Sequence, residues 1–249
     1  MRRRIAFYSM MVLLVLASWQ CLGARGGTVR LLVSSPSLAY GYGVANFASL
    51  WESASVTLAE SFCGLALAAA ISFMLMIGCL YFPSLMELVL PILLVTQVIP
   101  LVTLAPLLIL LFGIGVKGKV VMSALLCFFP IFINFARGVQ AIPGSLLEIL
   151  YVYDASSSFR IFRVFFPLST PNIMTGLKIS STLAVIGAIV GEFNGAEVGL
   201  GKNLFLAAKR LEPEMMICSL FFSAALSGLL YGLILIIENR AGRWYLCKS

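Results

Sequence analysis

Six long apolar runs, separated by short polar breaks, leave this chain few ways to fold. They cover residues 5–22, 56–81, 87–112, 120–136, 173–193 and 215–237. A membrane-crossing helix needs about 20 mostly apolar residues. Hydrocarbon offers the backbone no hydrogen-bond partner, so such a run must satisfy its own amides as a helix. The chain is 61% hydrophobic and 11% charged, whereas soluble domains are about half apolar and about a quarter charged. A soluble core of 249 residues cannot hide that excess. The expected fold class is therefore an all-α membrane protein with about six transmembrane helices. It forms one domain over 1–249, with an N-terminal helix at 5–22 and a core at 52–238.

The runs differ in character. The first follows Arg2, Arg3 and Arg4, a pattern shared by retained helices and by signal peptides. Gly23-Ala24 is a poor cleavage site, which favours retention; removal would leave five crossings. Residues 24–52 are rich in Gly and Ser and read as an extended external loop, with Trp51 at the interface. The third run contains Pro91, Pro100 and Pro106. Proline breaks or kinks helices, and broken backbone survives in a membrane only inside protein or along a cavity. This run is therefore expected at the bundle centre. Residues 113–119 read as a short external turn and 194–214 as an outer linker. An inside N-terminus puts ten of the 17 Lys and Arg residues on the cytoplasmic side and seven outside. That bias has the sign seen for membrane proteins.

Several function classes drop out. There is no histidine, and the six cysteines form no CxxC pair, so neither a metal site nor a disulfide framework is expected. No nucleophile–base set is evident, so the chain is not read as an enzyme. The net charge of +7 is scattered over segment ends, which does not make a nucleic-acid surface. No GxxxxGK[ST] phosphate loop is present, so the chain cannot hydrolyse ATP by that machinery, and no bound cofactor is expected. Gly113 to Gly118 is glycine-rich but follows an apolar run, and reads as a turn.

The polar break at 137–171 carries the functional signal. Pro143-Gly144 interrupts the chain, and Ser145 can cap a short helix with apolar Leu146, Leu147, Ile149, Leu150 and Tyr153. Asp154 can end it in a left-handed conformation. Ser156, Ser157 and Ser158 offer a new cap. Phe159, Phe162 and Phe166 then form an aromatic wedge at i, i+3 and i+7, with Arg160 and Arg163 beside it. Pro167 and Pro171 are expected to stop this helix. Two readings are open: a docking surface covered by a partner, or an amphipathic hairpin lying on the bilayer with its Arg side chains reaching headgroups.

The spacing of this break resembles the EAA signature of binding-protein-dependent ABC transporter permeases: Glu-Ala-Ala, three residues, Gly, nine residues, Ile-x-Leu-Pro. Glu148-Ile149-Leu150 occupies the first triplet, Asp154 the glycine place and Val164 to Pro167 the last four. Glu148 and Pro167 are the literal matches. PLVTLAPLLILLFGIG (100–115), FFPIFINFARGVQAIP (128–143) and IGAIVGEFNGAEVGLG (186–201) resemble the nitrate, sulfonate and taurine branch of that family. Pyrimidine (thiamine precursor) and riboflavin permeases are similar to this branch. The resemblance implies a type I importer permease fold with a cytoplasmic coupling helix in the 143–167 loop. It implies a homodimer in the bacterial inner membrane, a paired ABC ATPase that hydrolyses ATP, and a periplasmic substrate-binding protein. Both termini would be cytoplasmic. Carried onto this sequence, the ATPase-coupling residues are Glu148, Asp154, Ser157, Phe159, Arg160, Phe162, Arg163 and Pro167.

Polar residues within the runs are candidates for a translocation path: Thr96, Gln97, Thr103, Asn134 and Glu192. Such residues also tie helices together. Glu60 and Glu87 lie near segment ends and are expected to be solvated. A secondary transporter and a non-transport assembly protein are the alternatives. The former more often shows inverted repeats and mid-membrane acids, neither of which stands out. The sequence does not name the solute.

Overall fold

The computed structural model describes residues 10, 11, 14, 17–21, 23, 34–193 and 195–246. Most of the first apolar run lies outside the described residues, as does the choice between a retained and a cleaved segment. The described positions at 10–23 are helical.

The described chain is helical throughout its regular elements. Helix α1 spans Pro36–Ala45 and α2 Phe47–Tyr81. Helix α3 (Pro83–Val98), a 3-10 turn (Leu101–Leu104) and α4 (Ala105–Phe112) follow. Then come α5 (Val116–Gln140), α6 (Gly144–Val152), α7 (Ser157–Glu192), α8 (Leu200–Arg210) and α9 (Pro213–Leu246). Among the described residues, four helices (α2, α5, α7 and α9) are long and apolar enough to cross a membrane, and α3 with α4 can make a fifth crossing bent by 85°.

Three expectations are corrected. Residues 24–52 are not simply an extended loop: Ser35 caps α1 by accepting from the Leu38 N–H at 3.4 Å, and α2 begins at Phe47. Pro36 occupies the first turn of α1, where its missing N–H costs nothing. The outer linker likewise contains α8. Pro167 and Pro171 do not stop the second hairpin helix, which runs on through Glu192. A π turn over Arg160–Phe165 leads into Pro167, which sits in the first turn of the α-helical stretch. Further along, the Thr170 hydroxyl donates to the Phe166 carbonyl at 3.1 Å beside Pro171. Ser and Thr hydroxyls of this kind help a membrane helix tolerate proline.

The proline-rich third run lies at the edge of this helix bundle, not at its centre. Val89, Leu93, Ala105 and Leu108 are buried, while Leu88, Val95, Val98, Val102 and Leu110 are exposed. A bent helix can pack only one side on its own bundle.

The most extensive packing is α5 against α7, followed by α2 against α5. Small residues permit it. A Cβ at Gly187 would stand 2.5 Å from Ser123 Cα, and one at Gly176 would stand 2.8 Å from the Pro130 carbonyl oxygen. The Ser123 hydroxyl donates to the Ala184 carbonyl at 2.9 Å, and that of Ser180 to the Cys127 carbonyl at 2.9 Å. Close backbones and short polar bonds are how membrane helices associate without a hydrophobic driving force. Ile131, Phe132, Phe135 and Ala184 are fully enclosed at the centre.

Candidate functional site

The hairpin between α5 and α7 is built by its turn chemistry. After α6, Asp154 adopts φ 48°. The Ala155 N–H donates to the Leu150 carbonyl and the Asp154 N–H to that of Tyr151, both at 3.0 Å. This pair of bonds is a Schellman ending, which calls for a left-handed residue at that point. The left-handed ending expected at Asp154 is present. Ser156 then caps the next helix by accepting from the Phe159 N–H at 3.3 Å. The first cap differs: α6 starts at Gly144 with Pro143 at the cap position, and Ser145 plays no capping part.

Buried Ile142, Leu150 and Ile161 anchor the hairpin. Tyr81, the last residue of α2, hydrogen-bonds Ser158 at 3.0 Å between hydroxyls. Tyr151 (82% exposed), Val152 (79%) and Tyr153 (81%) face away from these anchors, and Phe159 and Phe162 are half-exposed. Phe166 does not share this face. It packs into the core against Phe73 and Phe135, with ring centroids 5.8 and 5.7 Å away. The π turn takes up an extra residue and rotates everything after it, so the expected i, i+7 relation with Phe159 fails. Glu148, Ser157 and Arg163 are exposed, Arg160 is half-buried with its guanidinium donating to the Ser157 hydroxyl at 3.2 Å, and Pro167 is half-buried. Tyr151, Val152 and Tyr153 are not among the candidate residues, Tyr153 being read only as an apolar position of the short helix. Their helical neighbours Leu147 and Ile149 are exposed too, so no apolar stripe singles them out in the sequence.

The candidate path residues separate into two groups. Thr96, Gln97 and Thr103 lie exposed on the bent α3–α4 segment. Both threonine hydroxyls donate back to their own backbone, Thr96 to Leu93 at 2.6 Å and Thr103 to Pro100 at 2.7 Å. Asn134 is half-buried where α5 meets α7, its amide donating to the Pro130 carbonyl at 2.7 Å. Glu192 is enclosed: the Thr57 hydroxyl donates to Oε1 at 2.7 Å and the Gly201 N–H to Oε2 at 2.5 Å. Its carboxyl group ties α7 to α2 and α8.

Glu60 is the clearest correction. It is 1% exposed, not solvated, and accepts from the Lys119 ammonium at 2.8 Å. Lys119 belongs to α5 instead of an external turn. A signal existed: Ser53, Thr57, Glu60, Ser61 and Gly64 recur at helical spacing on one face of α2. Glu87 is exposed, as expected.

Residues 75–243 match the family described as "Binding-protein-dependent transport system inner membrane component". The chain belongs to this ABC importer permease family. It is 32% identical over 235 residues to the riboflavin transport system permease protein RibX of Chloroflexus aurantiacus, covering 94% of this chain and 88% of that one. It is 33% identical over 188 residues to the formylaminopyrimidine transport permease protein ThiX of Halalkalibacterium halodurans, covering 76% and 75%. A probable ABC transporter permease protein of Haemophilus influenzae is 29% identical over 231 residues, 93% of this chain and 94% of its own length. The permease fold is shared with a solved inward-facing structure of the MetNI methionine ABC transporter, at TM-score 0.63 and 18% identity over 78% of this chain and 95% of that one. The expected family and importer permease fold are thus both found.

Proposed function

We propose that this permease forms the translocation path for a small solute, driven by a separate ABC ATPase that grips the α6–α7 hairpin. The observation that carries the reading is the exposed apolar surface of Tyr151, Val152, Tyr153, Phe159 and Phe162 at the one polar break of EAA spacing. Water-exposed aromatics in such a cluster are costly until a partner covers them. Each covered side chain supplies on the order of 2 kcal/mol. Glu148, Asp154, Ser157, Arg160, Arg163 and Pro167 frame that surface as the coupling residues. ATP binding closes the ATPase pair and moves the hairpin as a rigid body, switching the bundle between inward-open and outward-open states.

Two copies of the chain would pair through the bent α3–α4 segment. Its exposed leucine and valine side chains then find cover, and Thr96, Gln97 and Thr103 line the path between protomers. A periplasmic binding protein delivers the solute, and the hairpin and both termini lie in the cytoplasm. Relatives named for the transport of riboflavin, formylaminopyrimidine, aliphatic sulfonates and taurine support a small organic solute of one of these kinds.

The test is copurification with the ATPase, comparing wild type with a Phe159→Asp/Phe162→Asp variant. The double substitution should abolish ATPase capture while leaving the membrane protein folded and inserted. Unchanged capture, or labelling of a cysteine placed at Ser157 only from the periplasmic side, would overturn the assignment.

A further inference from the structure

At the end of the bundle opposite the hairpin, three ionisable side chains are enclosed together. Glu60 (α2) and Glu192 (α7) are each 1% exposed, and Lys119 (α5) is 8% exposed. The two carboxyl groups are close enough to act on each other. This follows from the local bonding, because Thr57, one helical turn before Glu60, donates to Glu192 at 2.7 Å. Every oxygen but one has a donor. Lys119 serves Glu60 Oε1 at 2.8 Å, and Thr57 and the Gly201 N–H serve the two oxygens of Glu192. The Leu200 N–H donates to Thr57 in turn, at 2.9 Å. Glu60 Oε2 is buried and has no partner.

The charge count has the same gap as the hydrogen-bond count. Two carboxylates and one ammonium, all ionised, leave one uncompensated negative charge in an apolar bundle. Isolated buried charge is among the most costly arrangements in a protein. Among the described residues Lys119 is the only buried cation. Packed against the cluster, α8 contributes Lys202, whose ammonium is directed to the Glu197 carbonyl instead, and the exposed Glu197 adds a further acid at the rim.

We propose that Glu60 and Glu192 form a proton-binding site, with one shared proton on Glu60 Oε2 donated to the Glu192 carboxylate. One proton closes both gaps at once: the cluster becomes neutral and the orphan oxygen gains a hydrogen bond. A water molecule at that oxygen would leave the charge in place. A hard metal cation takes about six or more oxygen ligands, and the described residues include no group of three or more acids, Cys or His able to hold one. Exchange with solvent runs through an adjoining chamber of about 260 Å³ lined by Val56, Glu60, Lys119 and Glu197. The proton joins α2, α5, α7 and the start of α8 into one latch. Its loss sets two carboxylates against each other and loosens this end.

The test is infrared spectroscopy of the purified full-length protein in lipid nanodiscs at neutral pH, where ordinary carboxyls with pKa near 4 are ionised. The wild type should show a carboxylic-acid C=O band that shifts in heavy water and fades as pH rises. The band should be lost in both Glu60→Gln and Glu192→Gln. In the first Glu192 has no acid to share with, and in the second Glu60 is left paired with Lys119. Thermal stability of the wild type should fall as pH rises, and that of Glu192→Gln should not, because a proton bound only in the folded state stabilises at low pH. Absence of an acid band in the wild type at neutral pH overturns the proposal, even if neither variant folds. So does a band retained in both variants, or sodium-dependent stabilisation in place of the acid band.

Discussion

The phenol of Tyr81, the last residue of α2, sits 3.0 Å from the Ser158 hydroxyl in the α6–α7 hairpin. This bond ties a loop between two other helices to the end of a third. Tyr81→Phe should loosen the hairpin without unfolding the bundle, because the pair is exposed and worth about 1 kcal/mol or less. Hydrogen exchange should accelerate in the segment around Ser156 to Arg160, while the α5–α7 core remains protected.

Asp154 at φ 48° provides a direct test of the turn. Asp154→Gly should be neutral or slightly stabilising, because glycine adopts this conformation freely. Asp154→Val should cost about 1–2 kcal/mol, the penalty of a side chain in left-handed backbone. Thermal melts of the three proteins in the same lipid should rank in that order.

Removing Lys119 strands Glu60 in the bundle. Lys119→Met should destabilise by about 3–5 kcal/mol, as when one partner of a buried pair is deleted. Adding Glu60→Gln should recover part of the loss, because Glu192 is then the one buried acid left without a cation. A double-mutant cycle on thermal stability measures the coupling. Additive losses would show that the 2.8 Å pair does not hold α2 to α5.

The α5–α7 contact has no room for a side chain at Gly187, where a Cβ would lie 2.5 Å from the Ser123 backbone. Gly187→Ala should cost about 1–3 kcal/mol through overpacking. Gly228→Ala, where nothing lies within 4 Å, should be near neutral or stabilising, since alanine favours helix. Reversal of that order in a melting series would contradict the packing.

Apolar length and the hairpin's punctuation were readable one residue at a time. Runs of membrane-spanning length committed the chain to helices, and Asp154 and Ser156 mark turn and cap through bonds to their own neighbours. The family spacing from Glu148 to Pro167 is local in the same sense. What needed the tertiary structure was the destination of each polar or kinked residue. Pro167 could not be read as continuing a helix, because the π turn before it depends on how Phe166 and Ile161 pack. Glu60 looked solvated at a segment end until α5 brought Lys119 beside it, and Glu192, a candidate for the path or for tying helices together, takes its donors from α2 and α8. A side chain's chemistry is written in the sequence. Its partners come from helices distant along the chain: the polar face of α2 hints that Glu60 is buried, but no local pattern names Lys119 as its partner.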